Sequence, residues 1–139
     1  MRTHLLLVCA GLGLCGCQKT LPTGPSDPLP LLTGIIVYEH ANYGGDSGHV
    51  IRDIENLEDY NGPCLLSADA SGSTFSWGDC ISSVRVAPGW SATLYRDDSY
   101  HGEQFEVTQD VANLQDVPGR CSHGGFNDCV SSIRVFRRP

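Results

Sequence analysis

A sustained amphipathic helix is missing from this 139-residue chain. Nowhere after residue 34 do apolar residues recur with a period of 3.6 among good helix formers, which excludes an all-α fold. Long hydrophobic runs are scarce too. The apolar run Leu5 to Leu14 covers ten residues, half of the ~20 that a membrane-spanning helix needs. Basic residues are outnumbered, nine Lys and Arg against sixteen Asp and Glu. An acidic surface is repelled by phosphate backbones, so nucleic acid is not expected as a partner. Catalytic signatures are absent: no Gly-x-Ser-x-Gly elbow, no His-Glu-x-x-His and no Cys-x-x-Cys occur. Asp97, Asp98, Ser99 and His101 read as the polar residues of a turn. Asp53, Glu55, Glu58 and Asp59 read as a solvated face. Catalysis is not expected.

What the chain does have is an internal repeat. Tyr38, Tyr43, Gly45, Val50, Asp53 and Asn56 find the same residues 57 positions later, as do Leu57, Asp59 and Cys64. The register then slips by eight. Asp79-Cys80-Ile81-Ser82-Ser83-Val84-Arg85-Val86 matches Asp128-Cys129-Val130-Ser131-Ser132-Ile133-Arg134-Val135 at an offset of 49. Two copies of one supersecondary unit account for this, residues 35–87 and 92–137, the first with eight extra residues between Cys64 and Cys80. Within that excess, residues 68–73 read as a flexible loop.

Residues 1–16 carry the layout of an export signal, a positive start at Arg2 followed by the apolar run and small residues. The leader ends Leu14-Cys15-Gly16-Cys17, which resembles a bacterial lipobox and implies a lipid on Cys17. The alternative is plain secretion. Residues 17–34 hold four prolines and read as a stiff, extended tether between the anchor and the domain. Gln18 after the lipid-bearing cysteine implies, by the same resemblance, passage to the outer membrane of the cell envelope. Residues 35–139 suffice for one compact domain.

Four cysteines lie in that domain and obey the repeat, Cys64 matching Cys121 and Cys80 matching Cys129. An even number in an exported chain argues for disulfides, and four cysteines allow three pairings. Pairing inside each repeat is expected, because each copy keeps both members although the spacing between them differs.

Short β-branched and aromatic stretches recur at residues 35–38, 49–51, 84–86, 92–95, 104–107 and 133–136. Several alternate apolar with polar, as half-buried strands do. Residues 53–57 and 110–114 sit between strands and suit one helical turn each. The expected fold is an all-β sandwich in which each repeat supplies one Greek key. Trp77 matches Phe126 and reads as core. Trp90, between the repeats, has no counterpart and either seals their junction or lies exposed.

Tyr38-x-x-x-x-Tyr43-x-Gly45 and Tyr95-x-x-x-x-Tyr100-x-Gly102 resemble the tyrosine-corner hairpin of βγ-crystallin Greek keys. Two aromatics five apart meet across a folded hairpin, and the Gly takes a conformation closed to other residues. Gly78-Asp79-Cys80-Ile81-Ser82-Ser83 and Asn127-Asp128-Cys129-Val130-Ser131-Ser132 are similar to that family's calcium loops. Two of each motif, in order, identify residues 35–136 as a βγ-crystallin-like sandwich of two Greek keys.

The resemblance implies a paired calcium site. Glu39 and Arg96 would offer hairpin carbonyls, and Gly78 and Asn127 first-position carbonyls. Asp79 and Asp128 would give acidic oxygens or support the loop, with Ser82 and Ser131 as hydroxyls exchanged between loops. Cys80 and Cys129 depart from the pattern, since a disulfide sulfur is a poor calcium ligand. Gly78 departs as well, which leaves Asn127-Asp128 the better loop. The bland reading is that Asp79, Ser82 and Ser83 cap turns. A calcium-independent envelope interaction module and an exported inhibitor or toxin-like protein stand as alternatives, with the protein partner unknown.

Overall fold

The computed structural model describes residues 19–21, 33–69, 72–121 and 124–139. The expected signal, Cys17 as the expected lipid site, and residues 22–32 lie outside them. Among the described residues the chain forms ten strands and short 3₁₀ turns. In order they are β1 (Lys19–Thr20), β2 (Ile35–His40), β3 (Gly44–Val50), β4 (Tyr60–Asn61) and β5 (Cys64–Asp69). There follow β6 (Gly72–Ser76), β7 (Ser83–Val86), β8 (Trp90–Tyr95), β9 (Gln104–Val107) and β10 (Ser132–Arg137). No helix among the described residues is long and apolar enough to cross a membrane.

Two antiparallel sheets carry the domain, in the orders β3-β2-β7 and β10-β8-β9. Each is completed by the other repeat. Ile54 pairs with Ile133 of β10, their amides exchanging bonds of 2.8 and 2.9 Å, and Val111 pairs with Val84 of β7 through bonds of 2.8 and 2.9 Å. Asp110 Oδ1 accepts from Val86 N at 2.8 Å and Asp53 Oδ1 from Val135 N at 2.9 Å, fixing the ends of these crossings. The repeats are therefore interlocked.

The crossings correct one expectation. Residues 53–56 and 110–113 do not make a helical turn. The 3₁₀ turns begin later, at Leu57–Asp59 and Leu114–Asp116. Asn56 and Asn113 cap them, accepting from Glu58 N at 3.0 Å and Gln115 N at 3.1 Å. An Asn cap in extended conformation starts a helical turn only after itself, and β-branched Ile54 and Val111 suit the pleated stretch before it.

Ile35, Val37 and Val84 of one sheet share a single buried cluster with Leu94, Val107 and Ile133 of the other. Trp77 and Phe126 are buried in it, as their matching positions predict. Trp90 is half-buried at the start of β8, where the Arg137 guanidinium lies 5.2 Å from its ring. The eight-residue excess is not simply a loop. It extends a β5–β6 hairpin, with Leu66 as an extra residue in the register between Leu65↔Phe75 and Ser67↔Thr74. Disulfides join Cys64 to Cys80 and Cys121 to Cys129, inside each repeat, with Cα separations of 5.7 and 6.1 Å.

Candidate metal centre

Each repeat opens with a folded hairpin. Tyr38 and Tyr43 meet edge to face at 5.7 Å, and Tyr95 and Tyr100 at 5.8 Å. Asn42, Tyr43 and Gly45 take φ of 57°, 63° and 73°, and Ser99, Tyr100 and Gly102 repeat this at 54°, 62° and 77°. A serine locks each hairpin: Ser83, read from sequence only as a turn cap, and Ser132, which the sequence leaves without a role. Ser83 Oγ donates to His40 O at 2.6 Å and accepts from Tyr43 N at 3.0 Å. Ser132 Oγ does the same with Asp97 O at 2.7 Å and Tyr100 N at 3.0 Å. Arg85 lies over Tyr43 at 4.4 Å and Arg134 over Tyr100 at 4.2 Å, closing the outer side. The double Ser at the end of each loop motif was the signal for this lock.

The two loops are built on each other. Asp79 N donates to Val130 O at 3.1 Å, and Asp128 N to Ile81 O at 3.2 Å. Both aspartates have φ of 51°, a left-handed conformation that Asp adopts more readily than most residues because its carboxylate bonds locally. Their carboxylates thereby reach the hydroxyl of the opposite loop. Ser131 Oγ lies 3.3 Å from Asp79 Oδ1 and donates to Arg96 O at 2.7 Å. Ser82 Oγ donates to Asp128 Oδ1 at 3.1 Å, and Asn127 Nδ2 donates to Asp128 Oδ2 at 2.6 Å.

The predicted residues thus fall into two oxygen clusters, each drawing on both repeats. Asp79, Ser131 and Arg96 form one; Asp128 and Ser82 form the other, which Asn127 joins through its Nδ2 rather than an oxygen. Glu39 and Gly78 enter differently. The Glu39 carboxylate accepts from Asp46 N at 3.2 Å, and Gly78 N donates to Ser76 Oγ at 3.2 Å. Glu39 still follows Tyr38, whose carbonyl accepts from Ser82 N at 2.9 Å, as Arg96 follows Tyr95, whose carbonyl accepts from Ser131 N at 2.9 Å.

Burial raises the Asp79 carboxyl above its ordinary range. The Ser131 hydrogen bond opposes the rise, while the negative charges of Asp128 and Asp97 add to it. The negative potential that Asp128 and Asp97 place on Asp79 suits a cation. Among the described residues no three His, Cys, Asp or Glu side chains converge as a metal cluster. A cation at either cluster would be held by one carboxylate among neutral hydroxyl and carbonyl oxygens, a hard donor set that fits calcium. Its remaining ligands would come from further carbonyls and water.

No known family profile matches the chain. Development-specific protein S of Myxococcus xanthus is 46% identical over 59 residues, 42% of this chain and 29% of that protein, so the match spans under a third of the relative's length. A crystal structure of a βγ-crystallin domain from Flavobacterium johnsoniae is 35% identical. It covers 74% of this chain and 93% of its own, with a TM-score of 0.51. A structure from work on the evolution of the eye-lens βγ-crystallin domain fold reaches a TM-score of 0.61 at 22% identity. It covers 86% of this chain and 100% of its own, and at that identity speaks for the fold alone.

Proposed function

The chain belongs to the βγ-crystallin family, and from that premise we propose that it is a non-enzymatic, calcium-binding domain of the cell envelope. One observation carries the calcium reading: the Ser131 hydroxyl bridges the Arg96 carbonyl of its own repeat and the Asp79 carboxylate of the other. Three hard oxygens from two loops and a hairpin are already gathered, and an ion bound among them, with the hydroxyl proton turned away and its lone pair toward the ion, would tie the two repeats together. With one carboxylate per cluster, affinity falls in the weaker range known for extracellular modules, roughly 10⁻⁴–10⁻³ M. Calcium here stabilises; it performs no chemistry.

The envelope reading is supported by the two disulfides, which persist in oxidising compartments, and by the leader that ends at Cys17. Calorimetric titration of calcium into the oxidised protein tests the first half. Saturable binding with about two ions per chain is expected, and no heat up to ~10 mM, ten times the weakest expected dissociation constant, would sink it. Mass spectrometry of protein extracted from membranes tests the second, through a diacylglyceryl mass on Cys17.

A second reading, a calcium-independent interaction module, draws on a different observation. Leu65, Leu66 and Phe75 on the β5–β6 hairpin are 58%, 44% and 43% exposed, and grouped exposed apolar side chains mark contact surfaces more often than chance. If Leu65→Ser and Phe75→Ser abolish envelope association while calcium removal does not, this reading replaces the first.

A further inference from the structure

The first repeat has a notch where the second has an aromatic ring. Gly48 matches Phe105 at the 57-residue offset, and Trp77 matches Phe126 at the offset of 49. In the second repeat the Phe105 and Phe126 rings pack at 5.7 Å. Gly48 has no side chain to lay against Trp77, and Leu21 supplies it. A Cβ on Gly48 would stand 2.7 Å from Leu21 Cδ1, 3.1 Å from Leu21 Cβ and 3.3 Å from Trp77 Cε2. Leu21 is half-buried against the core.

The segment before Leu21 is held as well. Lys19 and Thr20 pair with Tyr60 and Asn61 as a parallel strand, and Lys19 Nζ lies 5.7 Å from the centre of the Tyr60 ring. The matching residues in the second repeat are Val117 and Pro118. They offer neither an aromatic face for a cation nor, at Pro118, an N–H for strand pairing. A second strap has nothing to grip there, and with Phe105 in place no notch to fill.

We propose that Lys19–Leu21 is a strap that completes the core of the first repeat and fixes where the N-terminal region leaves the domain. A lipid on Cys17 is then held two residues from β1, within ~7 Å of extended chain, rather than at the end of an eighteen-residue tether reaching up to ~60 Å. The domain rides against the bilayer surface. The strap stands on its own contacts; the flush placement rests on the lipid-anchor reading of Cys17.

The test uses the full chain, exported and purified from membranes, with Leu21→Asp and Leu21→Asp/Gly48→Phe variants. Leu21→Asp is expected to lower Tm by roughly 5–10 °C, as loss of a partly buried leucine does in a domain this size. Trypsin should then cut after Lys19 faster than in the wild type. Gly48→Phe fills the notch as Phe105 does, so the double variant should recover Tm while Lys19 stays cleavable, a pattern that simple misfolding does not produce. Unchanged Tm and unchanged cleavage in Leu21→Asp would overturn the strap. For placement, Trp90→Phe leaves Trp77 as the lone tryptophan in vesicles carrying headgroup spin-labelled lipid. Quenching of Trp77 should fall when the double variant releases the strap, and equal quenching would overturn the flush placement. An unlipidated Cys17 would overturn the placement as well, leaving Tm and cleavage to decide the strap.

Discussion

Replacing Asp79 together with Ser131, or Asp79 together with Ser82, separates two ways of assembling the same oxygens. In the structure Asp79 shares a cluster with Ser131 of the other repeat, at 3.3 Å, and Ser82 shares one with Asp128, at 3.1 Å. Calcium at 100 times its dissociation constant adds ~2.7 kcal/mol per independent site. Residues 35–139 number 105, and an unfolding entropy of ~2.1 cal/mol/K per residue gives ~0.22 kcal/mol/K for the domain. Each working site therefore raises Tm by ~12 °C, and two sites by ~24 °C. Thermal unfolding followed by far-UV circular dichroism, in chelator and then in calcium, measures the rise. Asp79→Asn with Ser131→Ala removes one cluster twice over, so ~12 °C of calcium stabilisation should remain. Asp79→Asn with Ser82→Ala removes one ligand from each cluster and should leave almost none. The reverse pattern would mean that each site is built inside one repeat, refuting the exchange. No rise in the wild type would refute the calcium site itself.

Other expectations follow from the same contacts. Ser83→Ala and Ser132→Ala each leave a hairpin carbonyl and a tyrosine amide without their partner, so each should cost ~2 kcal/mol or more in urea unfolding; a loss under ~0.5 kcal/mol, the size of an ordinary surface substitution, would show that the lock is dispensable. Asp79 titrates above its ordinary range, so its proton favours the folded state; in chelator, the stability this contributes is present below the unfolded pKa and lost as pH rises through the raised folded value. Calcium should offset that loss, since it binds the ionised carboxylate, and Asp79→Asn should flatten both profiles; a profile unchanged by the substitution would exclude Asp79 as the titrating group. Replacing Cys64 and Cys80 by serine opens a link with a sequence separation of 16 residues, and the same change at Cys121 and Cys129 a separation of 8. The chain-entropy contributions are about 3 and about 2.5 kcal/mol, so nearly equal urea-midpoint losses are expected, and a several-fold difference would point to strain or denatured-state structure instead.

Much of the candidate site was legible because its parts are local. The aromatic spacing that folds Tyr38 onto Tyr43, the glycine at Gly45 and the cysteines paired within a repeat each depend on residues near in sequence, and the second copy printed each signal twice. Asp79, Asp128, Ser82 and Ser131 were visible in the repeat, but their part in a site came from the family resemblance. Glu39 and Arg96 came only from the family resemblance, since a backbone carbonyl carries no side-chain signature. Ser83 read only as a turn cap and Ser132 had no role, because the lock depends on a carbonyl some forty residues away in one repeat and thirty-five in the other.

Sequence by itself determined the all-β character, the two-unit plan and the local turn geometry, because alternation, spacing and turn chemistry act over a few residues. Tertiary structure alone decided which strand lies beside which. It carries Ile54 to β10 and Val111 to β7, and it sets the contact of each aspartate with the other repeat's serine, an exchange that only the family resemblance implied. It also draws Leu21 from a proline-rich stretch into the space that Gly48 leaves beside Trp77. These are choices between distant partners, made by which buried surfaces fill one another most completely, and no periodicity along the chain encodes that complementarity.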